Sequence, residues 1–295
     1  MHVQIDTQPY RYDGSKAFVE KDCPTEVATL YENKKDYKKL LEEYREEIDE
    51  LQNMMYAHDR YGLLIVFQAM DAAGKDGTIR HVMSGVNPHG VHVSSFKKPS
   101  TKELDHDFMW RTTREFPQRG RLGIFNRSYY EEVLVVRVHP EILLKYQRIP
   151  KEHTQNVEKV WQQRFEDIRN LELYAHRNGI HVVKFFLHLS KEEQRKRFLA
   201  RIDTPSKNWK FSSGDVEERQ YWEDYMRAYE DAINATAAPH APWYVIPADD
   251  KKNMRLIVSS VVLQQLQAMD MHYPKMDPER LKDLDGFREQ LQVES

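Results

Sequence analysis

The segment LLIVFQAMDAAGKDGTIRHVM, from Leu63 to Met83, joins a continuous apolar run to a loop of small residues. A short run rich in Ile and Val predicts a buried strand of a parallel sheet, here residues 62–68. A helix is predicted to start at Lys75, directly after the loop. Strand, small-residue loop and helix N-terminus together are typical of a site where backbone N–H groups converge on phosphate oxygens.

This loop departs at two positions from the phosphate-loop pattern G-x-x-x-x-G-K-[ST]. Ala69 replaces the first glycine, and Asp76 replaces the Ser or Thr whose hydroxyl usually binds Mg²⁺. Lys75 occupies the lysine position, and Asp71 is the nearest oxygen donor that could hold the metal instead. The plain alternative is a strand–turn–helix corner with a solvated lysine. The residues that let a backbone approach phosphate closely are Ala72, Ala73, Gly74 and Gly77.

Strands and helices alternate along the rest of the chain. Further strands are predicted at 91–96, 121–126, 180–189 and 243–246. Helices are predicted at 25–59, 104–116, 152–178, 190–202, 215–236 and 250–269, with another from about 130. This alternation predicts a three-layer α/β/α sandwich with a mainly parallel sheet. We expect an irregular N-terminal arm at 1–24, a main domain at 25–270 with a lid at about 190–236, and a charged tail at 271–295.

The composition limits the class of protein. The chain has 295 residues, 40% of them hydrophobic and 31% charged, and a net charge of −3. This balance argues against a nucleic-acid coat, and no apolar run is long enough to cross a bilayer. Without a signal core, and with Cys23 as the only cysteine, we expect a cytoplasmic protein with no internal disulfide.

Positive charge is concentrated in two segments of this acidic chain. Residues 60–127 carry 11 basic and 6 acidic side chains, and residues 191–210 carry 7 basic and 3 acidic ones. The loops that follow parallel strands meet at one edge of the sheet, so we expect both segments to border one cleft. Concentrated charge of this kind predicts a small anionic ligand.

Two further segments fit such a cleft. Asn126 and Arg127 follow the third strand, where phosphate-loop enzymes usually present a metal-binding Asp. Arg197 and Arg201 share one face of the helix after the fourth strand, which Ser190 and Glu193 are predicted to start with a capping box. Each feature also has a plain alternative, a surface arginine or a solvated basic helix face.

The chain resembles the phosphate-loop polyphosphate kinases, the second polyphosphate kinase family, from about Tyr37 to Leu266. The segments that carry the resemblance are FQAMDAAGKDGTIRHVMSGVNPHG, SFKKPS, GRLGIFNRSYYEEVLVVRVHP, FFLHLSKEEQRKRFLARIDTPSKNWKF and APWYVIPADDKKNMRLIVSS. The resemblance implies Mg²⁺-dependent phosphoryl transfer between inorganic polyphosphate and AMP or ADP, with Mn²⁺ as an alternative metal. Asn126 resembles the subgroup that accepts both nucleoside mono- and diphosphates.

The resemblance also implies roles for individual residues. Asp71 would bind the metal and act in catalysis with Lys75, Arg127 and Arg137, and the lid arginine would be Arg195 or Arg197. Nucleotide or phosphate binding is expected of Ala72, Ala73, Gly74, Asp76, Gly77, Thr78 and Asn126. Polyphosphate or lid contacts are expected of Lys97, Lys98, Arg195, Lys196, Arg197, Arg201 and Lys210.

Two other functions stay open at this point. The first is an ATP-dependent nucleoside or nucleotide kinase of the thymidylate-kinase-like type, and the second is a non-catalytic polyanion sensor. Expected partners are inorganic polyphosphate, AMP, ADP and ATP, with guanine nucleotides as further candidates, but neither nucleic acid nor membrane. The family resemblance implies a homodimer or homotetramer.

Overall fold

The computed structural model describes residues 5–293 and contains one six-stranded sheet in the order β1-β6-β5-β2-β4-β3. The strands are β1 Arg11–Tyr12, β2 Gly62–Ala69, β3 Val91–Ser95, β4 Leu122–Asn126, β5 Ile180–His188 and β6 Trp243–Pro247. Neighbouring strands are parallel except for β1, which pairs with β6 in the antiparallel direction. The mainly parallel sheet is confirmed.

Helices cover both faces of the sheet. The α-helices are α1 Lys34–His58, α2 Lys75–Val82, α3 Thr101–Leu104, α4 Trp110–Thr113, α5 Val135–Val138, α6 Lys151–Thr154, α7 Val157–Arg177, α8 Lys191–Ile202, α9 Ser213–Glu218, α10 Trp222–Thr236, α11 Lys251–Gln267 and α12 Pro278–Val293. Shorter turns are the 3-10 turns Gln8–Tyr10, Glu20–Asp22, Pro88–Gly90, Tyr129–Glu132, Pro205–Lys210 and Arg219–Tyr221, and the π-turn Ile142–Tyr146. In the described residues, no helix is long and apolar enough to span a bilayer.

The central strand β2 shows why this sequence forms three layers. All eight of its residues are buried, and it lies between β4 and β5. Leu63, Ile65 and Phe67 belong to the core cluster that includes α1 and α11 residues. Leu64 and Val66 belong to the opposite cluster, with α7 and α10 residues. A strand that is covered on both faces is apolar at nearly every position, and β2 shows this pattern with one buried polar exception, Gln68.

Several predicted boundaries are wrong for local reasons. The first helix starts at Lys34 instead of residue 25, because the Asn33 side chain accepts from the amides of Lys35 and Asp36 and caps it there. The helix predicted at 152–178 is divided at Asn156, whose side chain caps α7. Residues 104–116 and 215–236 likewise form shorter helices joined by turns.

The N-terminal arm contributes to the fold more than expected. Its residues Arg11 and Tyr12 form β1 and pair with Tyr244 and Trp243 at the edge of the sheet. Phe18 is also buried in the core. The prediction of an irregular arm is therefore wrong for these two strand residues, because two residues are too few to show a periodic pattern.

Candidate functional site

A cleft of about 620 Å³ opens at the carboxyl ends of β2, β3 and β4. Its lining residues are Asp71, Ala72, Ala73, Gly74, Lys75, Asp76, Gly77, Ser95, Phe96, Lys97, Lys98, Asn126, Arg127, Arg197, Ala200, Arg201, Lys207 and Lys251. Both basic segments of the sequence therefore border the same space. This is the edge where open α/β sheets bind their ligands.

The loop between β2 and α2 is tightly turned. Ala72 and Gly74 have φ angles of 64° and 108°, in the left-handed region, and Gly74 is the N-cap of α2. The ammonium of Lys75 donates to the Ala69 carbonyl at 2.7 Å, and burial lowers its pKa below the usual value. Because burial disfavours the positive charge of this ammonium, an incoming anion stabilises it, and the loop is suited to phosphate.

Thr78 stands behind this loop. It is fully buried, and its hydroxyl donates to the Gly74 carbonyl at 3.1 Å. The hydroxyl therefore supports the first turn of α2. It does not line the cleft, unlike the other residues for which we predicted phosphate or nucleotide binding.

Asp71 is paired with the arginine that follows β4. An Nη2 donor of Arg127 lies 3.1 Å from Oδ1 of Asp71, and Arg127 has a φ of 64°. Such a φ is strained for a residue with a Cβ atom, and strained residues of this kind cluster at active sites. The pair joins the loop after β2 to the loop after β4.

Glu131 lies beneath this pair and was missed by sequence reasoning. Its Oε2 is 3.9 Å from Nη1 of Arg127, and it contributes most to raising the pKa of that guanidinium, ahead of Asp71. Burial in turn raises the pKa of the Glu131 carboxyl. The only sequence signal was a carboxylate four residues after Arg127, which is a common surface pattern.

Asn126 occupies the place of the expected metal-binding Asp. Its amide donates to Oδ1 of Asp76 at 2.6 Å. The two positions that lack the usual Mg²⁺ ligands, Asp76 in the loop and Asn126 at the end of β4, are thus in direct contact. A carboxylate at 126 would face the Asp76 carboxylate, whereas the amide provides a donor.

The lid helix α8 starts at the predicted cap. The Ser190 side chain accepts from the Glu193 amide, but the Glu193 carboxylate accepts from Nε of Arg197 at 2.8 Å. The predicted capping box is therefore only half formed. Arg201 lines the cleft, with one of its nitrogens 3.7 Å from Asp215.

Some predicted residues do not lie at the cleft. Arg137 pairs with Asp231 at 2.7 Å and lines a separate cavity. Arg195 is exposed and pairs with Glu192, and neither Arg195 nor Lys196 is among the described residues that line the cleft. The side chain of Lys210 lies outside the described residues.

Two cleft lysines were also missed. Lys207 lies in the 3-10 turn after α8, and Lys251 is the first residue of α11, where burial lowers its pKa. Lys251 lies within a segment that carried the family resemblance, yet nothing in its local sequence separates it from Lys252. Only the fold shows which of the two faces the cleft.

The oxygen donors of the cleft suit Mg²⁺. Asp71, Asp76 and Asn126 offer carboxylate and amide oxygens, the ligand type that this metal prefers. In the described residues, no group of three or more His, Cys, Asp or Glu side chains is arranged to hold a metal alone. Mg²⁺ usually binds one or two carboxylates and completes its shell with water and substrate phosphate, so this donor set fits it.

Comparison with known proteins places the chain in a family. The model of the family Polyphosphate kinase 2 (PPK2) matches residues 31–274. The ADP-polyphosphate phosphotransferase of Rhodopseudomonas palustris is 55% identical over 98% of this chain and 99% of its own length. The AMP/ADP-polyphosphate phosphotransferase of Meiothermus ruber is 45% identical over 77% of this chain and 80% of its own length.

A solved structure agrees with these sequence matches. The crystal structure of polyphosphate kinase 2 from Arthrobacter aurescens TC1 aligns with a TM-score of 0.82 and 36% identity, and the alignment covers 94% of this chain and 96% of that one. Fold, family model and relatives therefore confirm the resemblance. The chain belongs to the polyphosphate kinase 2 family.

Proposed function

We propose that this enzyme transfers the terminal phosphoryl group of inorganic polyphosphate to AMP and ADP, reversibly and with Mg²⁺. The observation that carries the proposal is one cleft in which Asp71, Lys75 and Arg127 meet the basic side chains of two other segments. Phosphoryl transfer depends mainly on positioning and on stabilisation of phosphate charge. The cleft supplies both. The names of the relatives support the same substrates.

The phosphate loop suits the acceptor nucleotide. Its small residues and the N-terminus of α2 can hold a terminal phosphate, whose ionised oxygen attacks without a strong general base. Polyphosphate would lie along other basic side chains of the cleft, namely Lys97, Lys98, Arg201, Lys207 and Lys251. A polyanion bound by several separate charges is expected to bind less tightly as salt rises.

Asp71, Lys75 and Arg127 have different roles because their charges differ. Asp71 would hold Mg²⁺, which would supply Lewis-acid stabilisation of phosphate charge. Lys75 and Arg127 neutralise oxygens on which negative charge shifts during transfer. Arg127 is kept in place by Glu131 and Asp71.

The family match favours polyphosphate as donor over ATP. Asp76 removes the hydroxyl that ATP-dependent phosphate-loop kinases use for Mg²⁺. Nothing in the comparisons favours the thymidylate-kinase-like alternative. The proposal that both AMP and ADP are acceptors rests on Asn126, which resembles the subgroup that accepts nucleoside mono- and diphosphates.

The test supplies purified protein with Mg²⁺, polyphosphate and either AMP or ADP in parallel. We expect ADP from AMP and ATP from ADP, and no product when polyphosphate is omitted. Asp71→Asn should abolish turnover while the fold is kept, whereas Asp270→Asn, an exposed carboxylate outside the cleft, should change nothing. Absence of both products in the wild type, or turnover with ATP and a nucleoside only, would refute the proposal.

Three broader expectations belong to the same proposal. We propose a homodimer or homotetramer, tested by light scattering, and a cytoplasmic location, tested by cell fractionation. We propose the main domain at 25–270 as the catalytic unit, with the lid at about 190–236. Limited proteolysis tests those boundaries.

A further inference from the structure

The carbonyl oxygens of the phosphate loop are all bonded within the protein. Those of Ala69, Met70 and Gly74 accept from residues of the loop and α2, namely the Lys75 ammonium, the Ala73 amide and the Thr78 amide. The three between them, at residues 71–73, accept from side chains of α8. A helix distant in sequence therefore caps the middle of the loop.

Capping these carbonyls also directs the loop amides. In a planar trans peptide, the C=O of one residue and the N–H of the next point in opposite directions. Holding the Asp71 and Ala73 carbonyls toward α8 therefore turns the amides of Ala72 and Gly74 away from it. Both of these residues line the cleft. The side chains of α8 thus set the orientation of donors that a bound phosphate needs.

Gln194 makes the first of these contacts. Its Nε2 donates to the Asp71 carbonyl at 2.9 Å, and its Oε1 accepts from Arg219 at 2.7 Å. An arginine can only donate, so Arg219 fixes which end of the amide faces the loop. The Gln194 side chain is 1% exposed and has no role at the surface.

Arg197 makes the remaining contacts and uses every N–H it has. Nη1 donates to the Ala72 and Ala73 carbonyls at 3.2 and 2.8 Å, and Nη2 to the Ala248 and Asp249 carbonyls at 2.7 and 2.9 Å. Nε donates to Glu193. A guanidinium has five N–H donors, so none is left for a phosphate oxygen.

We propose that Gln194 and Arg197 are positioning residues that hold the phosphate loop in its binding shape. The proposal rests on the phosphoryl transfer proposed above, and it replaces the polyphosphate contact predicted for Arg197. Arg197 also joins the loop after β2 to the loop after β6, which leads into α11 and its first residue, Lys251. Arg201, one turn further along α8, is then the lid cation that faces the substrates.

Charge and geometry can be separated by substitution. A lysine at 197 keeps the positive charge, but a single ammonium cannot reach four carbonyls of two loops as a planar guanidinium does. A phosphate contact would be kept in large part by Arg197→Lys. A positioning role would be lost almost equally in Arg197→Lys and Arg197→Met.

The experiment compares Arg197→Lys, Arg197→Met and Gln194→Met with wild type, and uses Arg227→Met as the matched control. Arg227 is 76% exposed and, among the residues that the structure describes, forms an ion pair with Asp224 alone. Hydrogen exchange of the peptide that covers residues 69–77 is measured without substrates, and kcat, the polyphosphate KM and its salt dependence are measured in the assay.

We expect exchange of the loop amides to be about tenfold faster in the three variants, because a lost hydrogen bond of average strength allows that much more local opening. We expect kcat to fall at least about tenfold by the same estimate, while the polyphosphate KM and its salt dependence stay near wild type. The control should match wild type in all four quantities.

Two results would overturn the proposal. One is unchanged loop exchange in all three variants, and the other is a raised polyphosphate KM with weaker salt dependence in Arg197→Met that Arg197→Lys restores. If the Arg197 variants do not fold by circular dichroism, Gln194→Met decides through the same exchange measurement. If wild type transfers no phosphoryl group, the proposed function is wrong, yet the exchange data still test the positioning role.

Discussion

Asn126→Asp tests the contact between Asn126 and Asp76, the two positions that lack the usual Mg²⁺ ligands. In the structure the Asn126 amide donates to Oδ1 of Asp76 at 2.6 Å. The substitution changes one atom, removes the donor and places two carboxylates against each other. Without metal, the variant must separate these charges or share a proton between them.

The expected loss of stability follows from two terms. A hydrogen bond to a charged group is worth about 1.5 kcal/mol at the low end of its range, which suits an open cleft. Repulsion between like charges about 4 Å apart adds about 1 kcal/mol in water-like surroundings. A loss of about 2–3 kcal/mol lowers the melting temperature of a domain this large by about 3–5 °C.

The assay is thermal unfolding in EDTA and again in excess Mg²⁺. We expect Mg²⁺ to recover more stability in Asn126→Asp than in wild type, because two facing carboxylates form a better site for a hard cation. The matched control is the exchanged pair Asn126→Asp with Asp76→Asn, which restores one donor and one acceptor. In EDTA, that double variant should recover most of the melting temperature that Asn126→Asp loses.

Two outcomes would refute this reasoning. If Asn126→Asp in EDTA is as stable as wild type, the contact with Asp76 contributes nothing. If Mg²⁺ shifts wild type and Asn126→Asp equally, the metal does not bind between these positions.

Three further predictions concern the core, the response to pH and the lid. Lys184 and Glu172 form a fully buried ion pair at 2.6 Å. Lys184→Met or Glu172→Gln should each lower the free energy of unfolding, measured in urea, by about 3–5 kcal/mol. The double variant should lose less than the sum of the two single losses. Burial lowers the pKa of His181 and His240. The unfolded imidazoles therefore take up protons near pH 6.5, and the folded ones only at lower pH. The free energy of unfolding should fall as pH drops below about 6.5, and it should fall less steeply in His181→Phe. Arg201→Met should lower kcat by on the order of 10³-fold without changing the melting temperature, and a loss below tenfold would show that another cation performs this role.

The strands could be predicted well because buried strands are short, mostly apolar runs that are easy to recognise in the sequence. The segment predicted as 62–68 is Gly62–Ala69 in the structure, and the other long strands agree to within two residues. Helix starts were less accurate, since a single capping side chain such as Asn33 decides them. Strand β1 was missed because its pairing with β6 depends on residues more than 200 positions away.

Cleft residues could be predicted from sequence only where a charged side chain lies close to the end of a predicted strand. Asp71 and Arg127 lie just after buried strands and Lys75 begins the helix that follows β2, so the rule that strand ends meet at one edge brings them together. The direction of a side chain on a helix or turn is not fixed by this rule. That is why Lys251 and Glu131 were missed, and why Arg137 is found at another cavity.

Arg197 and Arg201 show how burial separates residues that sequence makes equivalent. Gln194 lies three positions before Arg197, and Arg201 lies four positions after it, so all three share one face of α8. Sequence reasoning treated both arginines as cations for polyphosphate. In the structure, Arg197 is 7% exposed with all its donors used, whereas Arg201 faces the cleft, with Asp215 at 3.7 Å and the Phe198 ring as its neighbours. One face of a single helix thus shapes the loop at one end and presents charge to the substrates at the other. A displacement of α8 would therefore alter both sides of the cleft together.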